Sequence, residues 1–327
     1  MELILCAENG RELRRLDYSS ADFELGGEND FEVTLPLAFW QDDLAFGRRI
    51  FEPGTENGGV IGGIKTDTSS NTITLTGYVW RGYLARRILE PPAGQAYRTV
   101  SGDLNAVIRS VIDGMYDGVL TGSQTDSGIT TSSFSFDRYV SVLDGLNKLL
   151  ASKNCRLQIV YVQGENGEIG HAEVSAVPIA DYSDQIELSQ DSRVNFTLTK
   201  TKNTVNHLIC LGSGELADRT VLHLYLGPDG QIGKTPYYTG MEEIAETYEN
   251  TNSEDLETDS VKHFEELIAS TDFSMDVESL GIDVQLGDIV GGRDYITGLS
   301  MKKALAKKIT TVAEGKKTVQ YELEGNE

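Results

Sequence analysis

A chain of 327 residues, 39% hydrophobic and 24% charged, is long enough for two or three folded domains and too apolar to be disordered. Its 51 acidic residues against 28 basic ones give a formal net charge of −23, which argues against binding to nucleic acid through phosphate neutralisation; no sequence-specific nucleic-acid binding is expected. No apolar run approaches the ~20 residues of a membrane-spanning helix. Met1 to Cys6 has neither the basic nor the long apolar region of a signal peptide, so folding in a reducing cytoplasm is expected. The 34 glycines and 7 prolines suit many short strands joined by tight turns.

From residue 2 to about 90 the hydrophobic period is two. Phe31, Val33 and Leu35 alternate with Glu32 and Thr34, and Ile73, Leu75 and Val79 alternate with threonines. Asn9-Gly10, Gly26-Gly27, Pro53-Gly54 and Asn57-Gly58-Gly59 punctuate the strands. Arg81 to Leu89 reads as a short helix stopped by Glu90-Pro91-Pro92, because proline disfavours helical geometry in the residue before it.

The period then changes. Ser101 is placed to cap a helix carrying Leu104, Val107, Ile108, Val111, Ile112 and Met115. A second helix is predicted from about Asp137, with Tyr139, Val142, Leu143, Leu146, Leu149 and Leu150 on one face. Ile129 to Phe136 reads as a candidate strand between them. Leu157, Ile159 and Tyr161 begin a hairpin that returns through Ile169 to Val177. Two helices on a small sheet make an α+β domain over residues 99–184.

Alternation resumes beyond Asp184. Strands are predicted at Val194–Leu198, Leu208–Leu211, Val221–Leu226, Phe273–Val277, Val284–Val290 and Leu299–Val312, with a last hairpin turning at Glu314-Gly315. An acidic run interrupts them: Met241 to Glu266 holds ten carboxylates and one lysine. Ser253 is placed to cap a helix there, with Val261, Phe264, Leu267 and Ile268 as a narrow apolar stripe. The reading is a β domain over 1–98, an α+β domain over 99–184, and a second β domain over 185–327 with an acidic helical insertion at about 238–270.

No catalytic or metal-ligating constellation emerges, and no enzyme activity, cofactor or metal is expected. His171, His207, His223 and His263 have no metal-ligand spacing. His207 and Cys210 lie three apart on one strand and face opposite ways, so they cannot form a nucleophile–base pair. Cys6, Cys155 and Cys210 are odd in number and widely spaced, which argues for buried thiols rather than a disulfide framework. Gly58 to Gly63 and Gly212-Ser213-Gly214 lack the P-loop lysine, and no G-x-S-x-G occurs. The acidic pairs Glu242-Glu243 and Glu265-Glu266 sit in a charge run typical of a solvated face. Against this background Lys302, Lys303, Lys307 and Lys308, followed by Lys316 and Lys317, stand out. They are either guards of a strand edge or contacts to an acidic neighbouring subunit.

The most distinctive stretch runs from Gly59 to Pro92. It reads Gly59-Val60-Ile61-Gly62-Gly63-Ile64, then Thr72-Ile73-Thr74-Leu75-Thr76-Gly77, then Trp80-Arg81-Gly82-Tyr83-Leu84-Ala85-Arg86-Arg87-Ile88-Leu89-Glu90-Pro91-Pro92. This stretch resembles the siphovirus and prophage tail proteins of the ReqiPepy type, grouped with baseplate hub proteins. Val205 to Gly212 and Leu286 to Val290 resemble them more weakly. The resemblance implies two small β-barrel domains flanking an α+β domain, assembled as a homotrimer. Six quasi-equivalent barrels then match a hexameric tail tube ring above and a trimeric spike or tip protein below, among other baseplate proteins. It implies an architectural role in a virion tail or tail-like particle, assembled in the host cytoplasm. An acidic channel lining would repel DNA, so part of the negative charge is expected to face the channel. The resemblance also implies that any lysin or adhesin activity resides elsewhere, since the chain ends soon after its last strand. The competing readings are a receptor- or carbohydrate-binding tail module, which needs surface aromatics, and a tail-associated cell-wall hydrolase, for which no motif is present.

Overall fold

The computed structural model describes residues 1–164, 169–183, 187–188, 205–251, 255–269, 284–293 and 300–323. The chain divides into two compact units, one of Met1–Phe196 with Asp276–Leu323 and one of Thr197–Met275 with Glu324–Glu327. The strands predicted around Val194–Leu198 and Phe273–Val277, and the cap at Ser253, lie outside the described residues.

In the first unit, the alternation at Phe31–Leu35 and Ile73–Leu75 becomes the antiparallel strands Asp30–Pro36 and Thr72–Tyr78, with Val33 opposite Leu75. Both sides of this pair continue into one large sheet. Its order is Glu187–Leu188, Ile289–Arg293, Ser300–Ala313, Ser20–Leu25, Asp30–Pro36, Thr72–Tyr78 and Gly63–Asp67, and Lys316–Leu323 also pairs with Ser300–Ala313. A separate four-stranded sheet holds Glu12–Arg15, Ile4–Cys6, Arg49–Phe51 and Gly58–Val60.

The expected barrels are not formed: among the described residues no sheet closes on itself, and the largest one branches at Ser300–Ala313, which also pairs with Lys316–Leu323. The reason lies in the partners of the C-terminal strand. Ser300–Ala313 pairs through Lys308 to Ala313 with Leu25 to Ser20, so it extends the N-terminal sheet and does not close a second one. The fold is a mixed α/β arrangement of several open sheets.

The Gly59–Pro92 stretch is a packing device. The strands Gly58–Val60 and Thr72–Tyr78 approach through a bridge between Gly59 and Val79. A Cβ on Gly77 would lie 2.0 Å from the Val60 carbonyl oxygen, so no larger residue fits without moving backbone. Helix α1, Trp80–Ala85, follows at once, and a Cβ on Gly82 would lie 2.4 Å from the Asn29 carbonyl oxygen. The helix ends before the Pro91-Pro92 stop, and Leu89 beyond it is buried in the core.

Helix α2 spans Leu104–Ile112 and helix α3 spans Val142–Ala151. Both apolar faces pack on a three-stranded sheet ordered Leu120–Gly122, His171–Pro178, Cys155–Val162. The caps differ from the sequence expectation. Asp103, not Ser101, caps α2, accepting from the Asn105 and Ala106 N–H groups at 2.8 and 3.4 Å. Helix α3 starts after Ser141, not at Asp137, because Tyr139 has φ of 57° and turns outward. One core joins these layers to the N-terminal region: Trp80, Phe51 and Cys6 pack with Leu146, Leu157 and Tyr161. The Phe51 and Tyr161 rings stack at 3.8 Å between centroids, and Trp80 lies 5.5 Å from Tyr161.

Burial alone would raise the pKa of Asp103, but donation from Ser127, Asn105 and Gly128 holds it below the ordinary carboxylate value. A depressed folded-state pKa contributes stability that is present above the unfolded value of about 3.9 and is lost as pH falls through the folded one. Asp103→Asn is therefore expected to cost about 1 kcal/mol near neutral pH. In urea unfolding, its gap to the wild type should narrow below about pH 4. A gap that stays constant down to pH 2 contradicts this.

In the second unit, the strands Ile232–Gly233, Val221–Leu226, His207–Leu211 and Ala245–Glu249 form a sheet in that order. The acidic run divides into the last of these strands and helix α4, Leu256–Ala269. Asp255 accepts the Thr258 N–H at 3.1 Å at the start of α4. The stripe of Phe264, Val261, Leu267 and Ile268 packs against Leu208, Cys210 and Leu224. Cys6, Cys155 and Cys210 are all free and buried, and burial pushes the Cys6 thiol up to about 11.

Candidate assembly surface

In the first unit a cleft of about 800 Å³ opens beside α1. Its floor is set by Arg81, which α1 presents inward. The guanidinium binds Glu56 through both arms, Nε to Oε1 at 2.7 Å and Nη2 to Oε2 at 3.0 Å, and donates to the Leu157 carbonyl at 3.3 Å. Both partners are under 10% exposed, so the pair is nearly dry. A second ion pair joins Arg156 Nε to Asp288 Oδ1 at 2.6 Å, and Asp288 also accepts the Ala180 and Gln285 N–H groups.

The two long walls are strand edges. Cys155–Val162 is the last strand of its sheet, and its residues Arg156 to Val160 line the cleft. Tyr161 on that edge exchanges hydrogen bonds with the 54–55 turn, at 2.9 Å to the Thr55 carbonyl and 3.2 Å from the Gly54 N–H. By antiparallel alternation the Ile159 backbone groups face the same way. Opposite, Lys316–Leu323 pairs with Ser300–Ala313 on one side, and Lys316 to Tyr321 line the cleft. The turn before it, Glu314-Gly315, has φ of 52° and 76°, the two-residue hairpin geometry in which Ala313 and Lys316 form the closing pair. The Lys317 and Val319 backbone groups then point outward.

Among the described residues five cationic side chains, Arg81, Arg156, Lys308, Lys316 and Lys317, and one carboxylate, Glu56, line this cleft in a chain of net charge −23. Lys317 reaches Glu52 at 3.0 Å, while Lys316 is exposed and has no ion pair among the described residues.

The four lysines singled out in the sequence are not equivalent. Lys302 pairs with Asp181, and Lys303 is half-buried opposite Val290. Lys307 lies 3.3 Å from Glu24 and 3.4 Å from Glu322. Lys308 is buried and donates to the Val284 carbonyl and Gln285 Oε1 at 3.2 and 3.3 Å. Lysine content marked this strand; it carried no sign of which ammonium groups the chain uses internally.

Sequence spacing also missed a polar cluster in the second unit. His207 Nδ1 lies 2.6 Å from Glu243 Oε1, and His207 Nε2 lies 2.8 Å from His223 Nδ1. The Tyr225 ring stacks on His207 at 4.3 Å. His207, opposite Tyr225 in an antiparallel pair, is two positions from the partner of His223, which places both rings on one face. Strand register was the missing signal. The cluster fixes a buried histidine by hydrogen bonds and has no serine or cysteine nucleophile in it; the Cys210 side chain lies in the core on the opposite face. Among the described residues no group of three or more His, Cys, Asp or Glu is placed to hold a metal ion. Trp80 is fully buried, which leaves Trp40 as the exposed tryptophan.

No protein-family model and no curated protein matches the chain. Solved structures do match. The tail protein from Neisseria meningitidis MC58 aligns with a TM-score of 0.53 at 13% identity, over 99% of this chain and 96% of that one. The 43 kDa tail protein of prophage MuSo2 from Shewanella oneidensis aligns with a TM-score of 0.57 at 11% identity, over 99% and 98% of the two chains. At such identities the likeness is one of fold, and it spans nearly the whole of each chain.

Proposed function

We propose that this chain is a structural component of a phage or phage-tail-like particle: a baseplate hub whose trimeric ring adapts the hexameric tail tube to the central spike or tip. The observation that carries the reading is the nearly full-length fold likeness to two tail proteins. The Gly59–Pro92 stretch, which builds the α1 corner and the cleft floor, supports the narrower assignment to hub proteins of the ReqiPepy type. Its partners are further copies of itself, the tube ring, the spike or tip and other baseplate proteins, met in the host cytoplasm during assembly. Lys302 and Lys303, on the strand Ser300–Ala313, are proposed among the subunit contacts. The role is architectural and non-catalytic.

A glycan-binding tail module is the second reading, and it needs an exposed aromatic platform. The burial of Trp80 weakens it. A tail-associated hydrolase needs a paired acid and base across a cleft, and among the described residues Glu56 is the one carboxylate lining the cleft, tied to Arg81. Sedimentation of the purified chain across micromolar concentrations separates the readings. The hub is expected to populate a trimer as concentration rises. A chain that stays monomeric and binds cell-wall glycan contradicts the assignment.

A further inference from the structure

We propose that the cleft between the two strand edges receives the acidic edge strand Ala245–Glu249 of a second copy, extending a sheet from one subunit into the next. This rests on the ring reading above and names the contact that closes the ring.

Three observations converge on that occupant. The first is the pair of facing edges. Residues 317 and 319 on one wall and 159 on the other turn backbone donors and acceptors toward the space between them. An added strand satisfies such groups, as in β-strand addition to an exposed edge. The second is size. A strand rises about 3.3 Å per residue, with roughly 4.8 Å between strands and 10 Å between sheets, so each residue fills on the order of 160 Å³. A cleft of about 800 Å³ is therefore large enough for a short strand such as the five residues of Ala245–Glu249.

The third is charge. Among the described residues five cationic side chains line the cleft; Arg81, Arg156 and Lys317 are paired with Glu56, Asp288 and Glu52, while Lys316 is exposed with no ion pair. The Ala245–Glu249 strand lies at the edge of its own sheet and follows Glu242 and Glu243, and residues 241–249 contain four carboxylates and no lysine or arginine. Ala245, Glu246 and Thr247 are exposed, and Glu246 has no ion pair among the described residues. Electrostatic complementarity of this kind selects partner and register more than it adds affinity. A groove of one subunit and an edge of another make a head-to-tail contact, the type that generates closed rings when the rotation closes.

The test is charge exchange in the full-length chain, read by sedimentation at low and moderate salt. Lys316→Glu and Glu246→Lys are chosen because neither side chain has an ion pair among the described residues, and unchanged circular dichroism checks the fold of each variant. Each single variant is expected to weaken trimer formation about tenfold or more, and the double variant to restore most of it. Weakening without restoration in the double variant overturns this pairing. Trimers of wild-type strength in both single variants overturn it too, while the ring reading stands. A wild-type chain that never associates removes the ring reading, and the contact with it.

Discussion

Trp80→Ala is expected to lower the stability of the first unit by about 3–5 kcal/mol, the range for deleting a large buried aromatic. Trp80 is fully buried and opens α1, stacked beside Tyr161, which in turn stacks on Phe51. These rings join the N-terminal strands to the α2–α3 layer through one core. Removing the indole leaves a cavity at that junction, and its neighbours are held by rigid elements that can collapse only in part. Urea unfolding followed by tyrosine fluorescence measures the cost. A loss below about 1 kcal/mol would show that the ring stack is not a structural joint.

Arg81→Ala is expected to cost a comparable amount, about 3–5 kcal/mol, for a different reason. Its partner Glu56 is then left charged in a nearly dry site, and the Leu157 carbonyl loses a donor. The discriminating variant is the double replacement Arg81→Met with Glu56→Leu, which removes both charges and keeps most of the volume. It is expected to recover most of the loss, because the cost lies in stranding one ion rather than in losing the pair's attraction. Both variants are compared by denaturant midpoint. Equal losses for the single and double replacements contradict the argument.

Local pattern carried much of the fold. The strands at Phe31–Leu35 and Ile73–Leu75 followed from alternation, and the cores of α2 and α3 followed from apolar spacing of three and four. Helix ends were less legible, because Asp103 competes with Ser101 as a cap, and its further partners Ser127 and Gly128 lie more than twenty residues away. The arrangement of sheets was least legible. Nothing local tells Ser300–Ala313 to pair with Ser20–Leu25, a choice made by long-range packing. The barrel expectation came from resemblance and failed at that strand.

The candidate surface shows the same division. The Trp80-Arg81-Gly82 run stood out in the sequence, and the structure gives each residue a physical task. The lysines near the C-terminus stood out too, but Lys307 and Lys308 turn to partners within their own chain, while Lys316 is exposed along the cleft. His207, His223 and Glu243 looked unrelated, since their approach depends on the register of two strands and on a turn beyond them.

The measurement that tests the hub assignment most directly is electron microscopy of the assembled particle with this chain labelled. Three copies in a ring at the distal end of the tail tube are expected. Label distributed along the tube, confined to peripheral fibres, or absent from the particle contradicts the assignment.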